Sequence, residues 1–174
     1  VVSPEFPERP KLIGYLSRTD GRYRLIDCDI PHDVGLSAFG ARSALGQFLF
    51  FTESHCWPEP DVLTMCARTL AEHPEWAGFS CGLLPVAPNR LAEAEADMYQ
   101  TEMTYGITVH PWRKVTDPCF VTRRDAYTQS GGLQGEYGHF AEWVLAASYH
   151  ELGLVIGYLP EARVHHYYVG ELRE

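Results

Sequence analysis

A carboxylate and an imidazole, Glu53 and His55, stand two residues apart directly after the most apolar stretch of the chain. If the chain turns there, both side chains can face one ion. Carboxylate oxygen and imidazole nitrogen suit Mn²⁺ or Mg²⁺ bridging a diphosphate. A structural interpretation stays open, in which Glu53 bonds to the start of the next helix and His55 lies on the rim of the fold. We take both residues as candidate metal ligands.

Glu142 is the candidate general base. It lies near the start of the last predicted helix and follows the glycine-rich stretch that opens with Gly131 and Gly132. A carboxylate in a cleft can accept the proton of a hydroxyl group within its reach. The partial positive charge at a helix N-terminus also favours a Glu at this place without any catalytic role.

Two adjacent histidines, His165 and His166, follow the last predicted strand. Neighbouring residues of an extended chain point to opposite sides, so at most one of the two faces a cleft. Because Tyr167 and Tyr168 come directly after them, the pair also fits a packed aromatic edge.

The elements that must position these residues alternate between strand and helix. Residues 47–52 form the clearest predicted strand, and because both of its faces are apolar, we expect it in the middle of a covered sheet. Further predicted strands cover residues 23–28, 78–84, 119–122, 154–159 and 162–168. Predicted helices cover residues 12–16, 35–45, 61–73, 91–103, 124–129 and 141–152, with a loop at 104–118. This alternation indicates an α/β fold with a largely parallel sheet, in which ligands bind beyond the carboxyl ends of the strands.

Composition and charge narrow the class of protein. The 174 residues are 45% hydrophobic, which is typical of a globular domain, and no repeat or linker divides residues 1–174. A net charge of −9 argues against non-specific binding of nucleic acid. No apolar run is long enough to cross a membrane, and no signal peptide is visible. The five cysteines are scattered without C-x-x-C spacing. We therefore expect that they serve as small apolar residues of a protein in the reducing cytoplasm, and that they form no structural zinc site.

Several short motifs follow one another in a recognisable order. They are Ala44-Leu45-Gly46, Glu53-Ser54-His55, Arg124-Asp125-Ala126, Gly131-Gly132-Leu133, Ala141-Glu142 and Ala162-Arg163-Val164-His165-His166. Their order and spacing, over almost the whole chain, resemble the family 2 glycosyltransferases. That family typically shows A-x-G, an apolar strand and D-x-D, then R-x-A, a Gly-Gly turn, an acidic pair that opens a helix, and A-x-V-x-H.

The resemblance implies a three-layer GT-A fold with a mostly parallel central sheet, whose first strand is missing here. It implies a metal-assisted, inverting transfer of a sugar from a nucleotide-sugar donor to an acceptor hydroxyl. Glu142 would be the catalytic base, and Mn²⁺ or Mg²⁺ would be held by Glu53, His55 and His166. The residues implied for binding of the nucleotide cofactor are Glu53, Gly131 and Gly132.

The chain departs from the family pattern at both acidic motifs. Glu53 and His55 replace D-x-D, and Ala141 replaces the first acid of the pair ahead of Glu142. Two other functions therefore stay open: a catalytically idle GT-A-like domain that acts in binding, and a nucleotidyltransferase with a similar sheet. A nucleotidyltransferase usually needs a Gly-rich phosphate loop near its start, and the sequence shows none.

The chain begins at Val1, and Val1-Val2-Ser3 matches the end of the family's second strand. We therefore expect that the sequence starts inside a domain and that this chain alone is not a competent enzyme. An unpaired sheet edge beside Val1 and Val2 would favour self-association.

Overall fold

A computed structural model describes residues 9–18, 23–110 and 112–170 of the chain. The helices are α1 (Arg9–Leu16), α2 (Asp33–Ser43), α3 (Val62–Glu72), α4 (Arg90–Val109), α5 (Arg124–Gln129) and α6 (Ala141–Glu151). The strands are β1 (Phe48–Phe51), β2 (Cys56–Pro58), β3 (Trp76–Val86), β4 (Phe120–Arg123) and β5 (Val155–Tyr167). Short 3₁₀ segments cover Asp117–Cys119 and Gly135–Phe140.

The five strands of the described residues form one mixed sheet in the order β1-β4-β3-β5-β2. β4 runs antiparallel to both β1 and β3, and β2 runs antiparallel to β5. β3 and β5 are the parallel pair. The α/β class predicted from the sequence is confirmed. The prediction of a mostly parallel sheet is wrong. β4 lies between β1 and β3 and runs antiparallel to both, and β2 pairs antiparallel with β5.

β1 lies at an edge of this sheet, as far as the described residues show, and not in its middle. Its neighbour is β4, with Phe48 opposite Arg123 and Phe51 opposite Phe120. Leu49 and Phe51 are buried, whereas Phe48 is 38% exposed. The expectation that this strand lies in the middle of the sheet is therefore wrong for the described residues, although both of its faces are apolar.

Three other predicted elements differ from the structure in extent. Residues 23–28 form no strand but only an isolated bridge at Asp27. α4 continues to Val109 and so takes up the first part of the predicted loop at 104–118. The two runs predicted at 154–159 and 162–168 are one strand, β5, which passes Pro160 with a shift of register against β3. Such an irregularity lets proline sit within a sheet, since proline lacks the N–H that a regular ladder needs.

α3 covers one face of the sheet. Its buried positions Val62, Cys66 and Leu70 recur every four residues, and Pro74 follows the end of the helix. The buried sheet residues that pack with them are Phe79, Cys81, Val121, Ala162 and Val164. The helix predicted at 61–73 is therefore confirmed, and its apolar stripe is what holds it to the sheet.

α6 covers the opposite face. Phe120 and Thr122 alternate with Val121 along β4 and therefore point away from α3. The hydroxyl of Thr122 lies 2.8 Å from the hydroxyl of Tyr149 in α6. The rings of Phe120 and Tyr149 meet edge-on with their centroids 6.2 Å apart. Helices thus contact both faces of the sheet in the described residues.

The chain separates into two compact units. The larger unit comprises Gly46–Gly132 with Glu142–Glu174 and holds the sheet, and the smaller comprises Val1–Leu45 with Leu133–Ala141. Within the smaller unit, the ring of His32 caps α2 by accepting the N–H of Gly35 at 3.0 Å. The single domain predicted over residues 1–174 stays a prediction.

In the parts of the chain that the structure describes, every helix is too short or too polar to span a lipid bilayer. Val1-Val2-Ser3 lies outside those parts, and with it the open sheet edge expected beside Val1 and Val2.

Candidate metal centre

A tight turn carries three chemically active side chains from β1 into β2. The N–H of Cys56 donates to the carbonyl oxygen of Glu53 at 3.1 Å, which closes the turn over Ser54 and His55. Glu53 and Cys56 are half-buried, and His55 is exposed. The turn therefore presents a carboxylate, an imidazole and a thiol within four consecutive residues.

The pairing of β2 with β5 brings a fourth side chain to this turn. Cys56 lies opposite His166, and Trp57 lies opposite His165. The N–H of Tyr167 also donates to the carbonyl oxygen of His55 at 3.1 Å, which continues the pairing into the turn. Because opposite residues of paired strands share a face of the sheet, His166 points to the side of Cys56.

His165 points to the other face. Its ring stacks on the ring of Trp57, with the centroids 5.3 Å apart and the planes 11° apart. Its Nε2 lies 3.7 Å from a carboxylate oxygen of Glu59. The register thus selects His166 as the histidine of the cluster, as the A-x-V-x-H motif predicted.

The donor atoms of Glu53, His55, Cys56 and His166 all lie within 4.8 Å of one another. The Nε2 atoms of His55 and His166 are 2.8 Å apart. Oε2 of Glu53 lies 3.1 Å from Nε2 of His55, 3.5 Å from Nε2 of His166 and 3.8 Å from Sγ of Cys56. One oxygen, two nitrogens and one sulfur that converge in this way are a set that can hold a divalent ion.

His166 is buried, with 6% of its surface exposed. Burial, together with the neighbouring His55, lowers the pKa of His166 to about 4. Its imidazole is therefore neutral at pH 7, which is the form that binds a metal. Nδ1 of His166 is buried and has no hydrogen-bond partner among the described residues.

The thiol of Cys56 is protonated in the absence of a metal. Burial and the negative charge of Glu53 raise the pKa of Cys56 to about 12. A divalent ion at the same place reverses this effect, because a coordinating thiol gives up its proton to become a ligand.

Two tyrosines line the buried side of the cluster. The ring of Tyr168 lies 4.3 Å from the ring of His166, and Tyr99 of α4 meets His166 edge-on at 5.5 Å. Burial raises the pKa of Tyr99, and the charges of Glu142 and Glu53 raise it further. Tyr99 therefore carries a neutral phenol close to two carboxylates that are far apart in the sequence.

Glu142 lies outside the four-residue cluster but within electrostatic reach of its surroundings. Its charge adds to burial in raising the pKa of Cys119 to about 12, and Glu53 acts on Cys119 in the same sense. The same two charges raise the pKa of Tyr99. The structure thus joins Glu53, His55 and His166 in one cluster, while the role of Glu142 as a base stays a prediction.

Gly131 and Gly132 follow α5 with positive φ angles of 86° and 66°. A Cβ atom on Gly132 would lie 2.7 Å from carbon atoms of the Tyr127 ring. The positive φ favours glycine at both positions, and the close approach to Tyr127 adds a second reason at Gly132, so both residues have a structural reason to be present. Their part in binding a nucleotide stays a prediction.

Cys56 is the cluster residue that the sequence analysis missed, because every cysteine was interpreted as a small apolar residue. Its position directly after His55 was the available signal. Cys66, Cys81 and Cys119 fit the earlier interpretation, since all three are buried in the core.

Fold and site together define an α/β domain with helices on both faces of a mixed sheet and a candidate metal centre at one end of β5. No protein-family model matches the chain, and no curated protein matches it. Among solved structures, the chain is similar to one described as the crystal structure of a mycobacterial protein, with 13% identity and a TM-score of 0.53. The similarity covers 95% of this chain and 52% of that one, so the chain spans about half the length of this relative. At so low an identity the likeness shows the fold alone.

Proposed function

We propose that this chain belongs to a metal-assisted glycosyltransferase of the GT-A type, which moves a sugar from a nucleotide donor to an acceptor hydroxyl with inversion. One observation carries the proposal. His55, in the position of the metal motif, and His166, in the A-x-V-x-H motif, are 111 residues apart in sequence and 2.8 Å apart in space. Two motifs singled out for one family thus meet at a single point with Glu53 beside them.

Glu53, His55 and His166 are the residues that would hold the ion, for which the sequence predicts Mn²⁺ or Mg²⁺. A bound divalent ion neutralises the charge that develops on a departing nucleoside diphosphate. The neutral imidazole of His166 is in the protonation state that such binding requires.

Glu142 would act as the general base. The oxygen of the acceptor hydroxyl forms a bond to the anomeric carbon of the donor sugar while the bond from that carbon to the diphosphate oxygen breaks. The electron pair of the broken bond stays on the diphosphate, and the hydroxyl proton passes to the carboxylate of Glu142. Support for this role comes from the charge of Glu142, which raises the pKa of Tyr99 as the charge of Glu53 does.

A catalytically idle GT-A-like domain that binds a ligand is the second candidate function. The observation in its favour is Ala141, which is fully buried where the family has the first acid of its pair. Only one carboxylate, that of Glu142, is then available at this place. The nucleotidyltransferase alternative has no comparable support.

The test is release of nucleoside diphosphate from a panel of nucleotide sugars, measured with Mn²⁺, with Mg²⁺ and in a chelator. When the test is run on the full-length protein, we expect metal-dependent hydrolysis or transfer. His55→Ala should abolish the metal dependence, and His150→Ala, which alters an exposed histidine of α6 outside the cluster, should leave activity unchanged. Glu142→Gln should lower turnover by roughly 10²–10⁴-fold, the usual contribution of general base catalysis, without loss of donor binding.

The outcomes separate the candidate functions. Metal-dependent binding of a nucleotide sugar with no turnover would support the idle domain. If no nucleotide sugar binds with or without metal, the glycosyltransferase proposal is wrong. The proposed partners are therefore a nucleotide-sugar donor and a hydroxyl-bearing acceptor, without nucleic acid, and the proposed location is the cytoplasm.

A further inference from the structure

Cys56 packs against the hydrophobic core and also places its sulfur among the candidate metal donors. It is the first residue of β2 and lies directly opposite His166 of β5. Opposite residues of paired antiparallel strands share a face, with their Cβ atoms about 4.5–5.5 Å apart. Its sulfur belongs to the same group of converging donors and lies 3.8 Å from Oε2 of Glu53. Cys66 and Cys81, by contrast, face each other in the core, with their sulfurs 3.9 Å apart.

The distances from the carboxylate oxygen of Glu53 to the other donors are close to those of a tetrahedral ion site, and all four donors lie within 4.8 Å of one another. Metal–nitrogen, metal–oxygen and metal–sulfur bonds of about 2.0–2.3 Å place the ligand atoms of a tetrahedral zinc roughly 3.3–3.8 Å apart. Oε2 of Glu53 lies 3.1, 3.5 and 3.8 Å from the other three donor atoms. The two imidazole nitrogens, now 2.8 Å apart, must separate by about half an ångström to fit the same geometry.

The chemistry of the donors also distinguishes between metals. Mg²⁺ requires oxygen ligands in an octahedron and keeps several waters, and Mn²⁺ likewise suits carboxylate, carbonyl and water. Zn²⁺ takes thiolate, imidazole and carboxylate together. A sulfur among the ligands is therefore the feature that separates a zinc site from a manganese or magnesium site.

We infer that Cys56 is the fourth ligand of the ion held by Glu53, His55 and His166, and that this centre selects Zn²⁺ over Mn²⁺ and Mg²⁺. The inference rests on the metal-binding part of the proposed function and changes the metal that the sequence predicted. When the ion binds, the sulfur–metal bond forms and the thiol proton passes to solvent, with no change of oxidation state. Zinc can expand to five ligands, which leaves room for one diphosphate oxygen.

Co²⁺ is the probe, because it replaces Zn²⁺ and reports thiolate coordination by a charge-transfer band in the near ultraviolet. The protein is stripped with a chelator and titrated with Co²⁺. We expect this band together with the intense visible bands of a tetrahedral site at one equivalent. Zn²⁺ should then displace Co²⁺ stoichiometrically, whereas an excess of Mn²⁺ or Mg²⁺ should not.

Three variants assign the band to Cys56. Cys56→Ser should lose the charge-transfer band and bind Zn²⁺ at least about tenfold more weakly. Loss of a residue that only hydrogen-bonds to a metal ligand already lowers metal affinity by about this factor. His55→Ala should lose the band as well. Cys28→Ser changes a cysteine outside the cluster and should keep the band and the affinity.

The results separate this inference from the proposed function. Co²⁺ binding without a thiolate band in the unaltered protein would overturn the role of Cys56 and leave the other three ligands in place. A thiolate band in a protein that transfers no sugar would sustain the inference while the glycosyltransferase proposal fails. No binding of Co²⁺ or Zn²⁺ at all would overturn both.

Discussion

His166 is a buried imidazole whose protonation matters for both stability and binding. The side chains that face it are Glu53, His55 and Cys56 at the turn and Tyr99 and Tyr168 at the buried side. Burial and the adjacent His55 keep its pKa near 4, below the ordinary value of 6.5. The cost of charging this ring inside the fold keeps it in the neutral, metal-binding form even at pH values well below 7.

The same low pKa predicts a loss of stability in acid for the metal-free protein. Between about pH 6.5 and pH 4 the unfolded chain binds a proton at His166 and the folded chain does not, so the free energy of unfolding falls as the pH falls. The loss should reach at most about 3 kcal/mol over this window, at 1.36 kcal/mol for each pH unit. Urea denaturation in a chelator at several pH values measures it.

His166→Gln is the matched variant for this prediction, because it keeps a polar side chain that does not titrate. Its free energy of unfolding should depend less on pH between 6.5 and 4 than that of the unaltered protein. An equal dependence in the two proteins would show that another group is responsible for the acid sensitivity.

The turn between β1 and β2 and the pairing of β2 with β5 are the elements that build the site. Trp57 stacked on His165, with Glu59 beside the same histidine, fixes the register from the face opposite the cluster. A slip of one residue would replace His166 with His165 at the cluster, since side chains alternate along a strand. The contacts on the far face of β5 therefore help to decide which histidine can bind an ion.

The close approach of Gly132 to the ring of Tyr127 in α5 can be tested by substitution. The ring of Tyr127 packs against Phe51 of β1 with the centroids 5.3 Å apart, and a Cβ atom on Gly132 would lie 2.7 Å from Cε1 and Cζ of that ring. Gly132→Ala should lower the free energy of unfolding by about 2–4 kcal/mol, because it adds a collision with Tyr127 to the strain of a positive φ.

Gly153 is the matched control for Gly132. It has a similar φ of 69°, but a Cβ atom there would meet nothing within 4 Å. Gly153→Ala should therefore cost only the conformational strain, about 1–2 kcal/mol. Urea denaturation of both variants gives the comparison, and equal losses would contradict the assigned contact between Gly132 and Tyr127.

The cluster ties together distant parts of the larger unit, because the turn at Glu53–Cys56 and His166 are far apart along the chain. An ion that needs all of these residues binds the folded chain and not the unfolded one. Zn²⁺ at one hundred times its dissociation constant should therefore raise the free energy of unfolding by about 2.7 kcal/mol.

Thermal or urea denaturation with Zn²⁺ and with a chelator measures this stabilisation. His55→Ala should remove it, and His150→Ala should retain it because His150 lies outside the cluster. Suppose that calorimetry shows Zn²⁺ binding while denaturation shows no stabilisation. In that case the unfolded chain binds the ion as tightly as the folded chain does, or the ion binds at a site other than the cluster.

Much of the secondary structure follows from local patterns. The apolar positions of α3 recur at helical spacing, and β3, β4, α5 and α6 lie within a few residues of their predicted bounds. Glu53 and His55 could be chosen from the chain alone, because they follow an apolar strand at its end. These features depend on residues that are close together in the sequence, which is why periodicity and position predict them.

Strand direction, the edge position of β1 and the place of Cys56 depend on pairings between distant segments. An apolar run such as Phe48–Phe51 has the same pattern whichever way its neighbours run, so periodicity alone could not predict that β4 is antiparallel to it. Cys56 looked like any small apolar residue until β2 paired with β5 and set it opposite His166. The complete ligand set therefore depends on the register between β2 and β5, whose paired residues are more than one hundred positions apart in the sequence. The local turn holds the carboxylate, one imidazole and the sulfur together, and only tertiary pairing adds the second imidazole, that of His166.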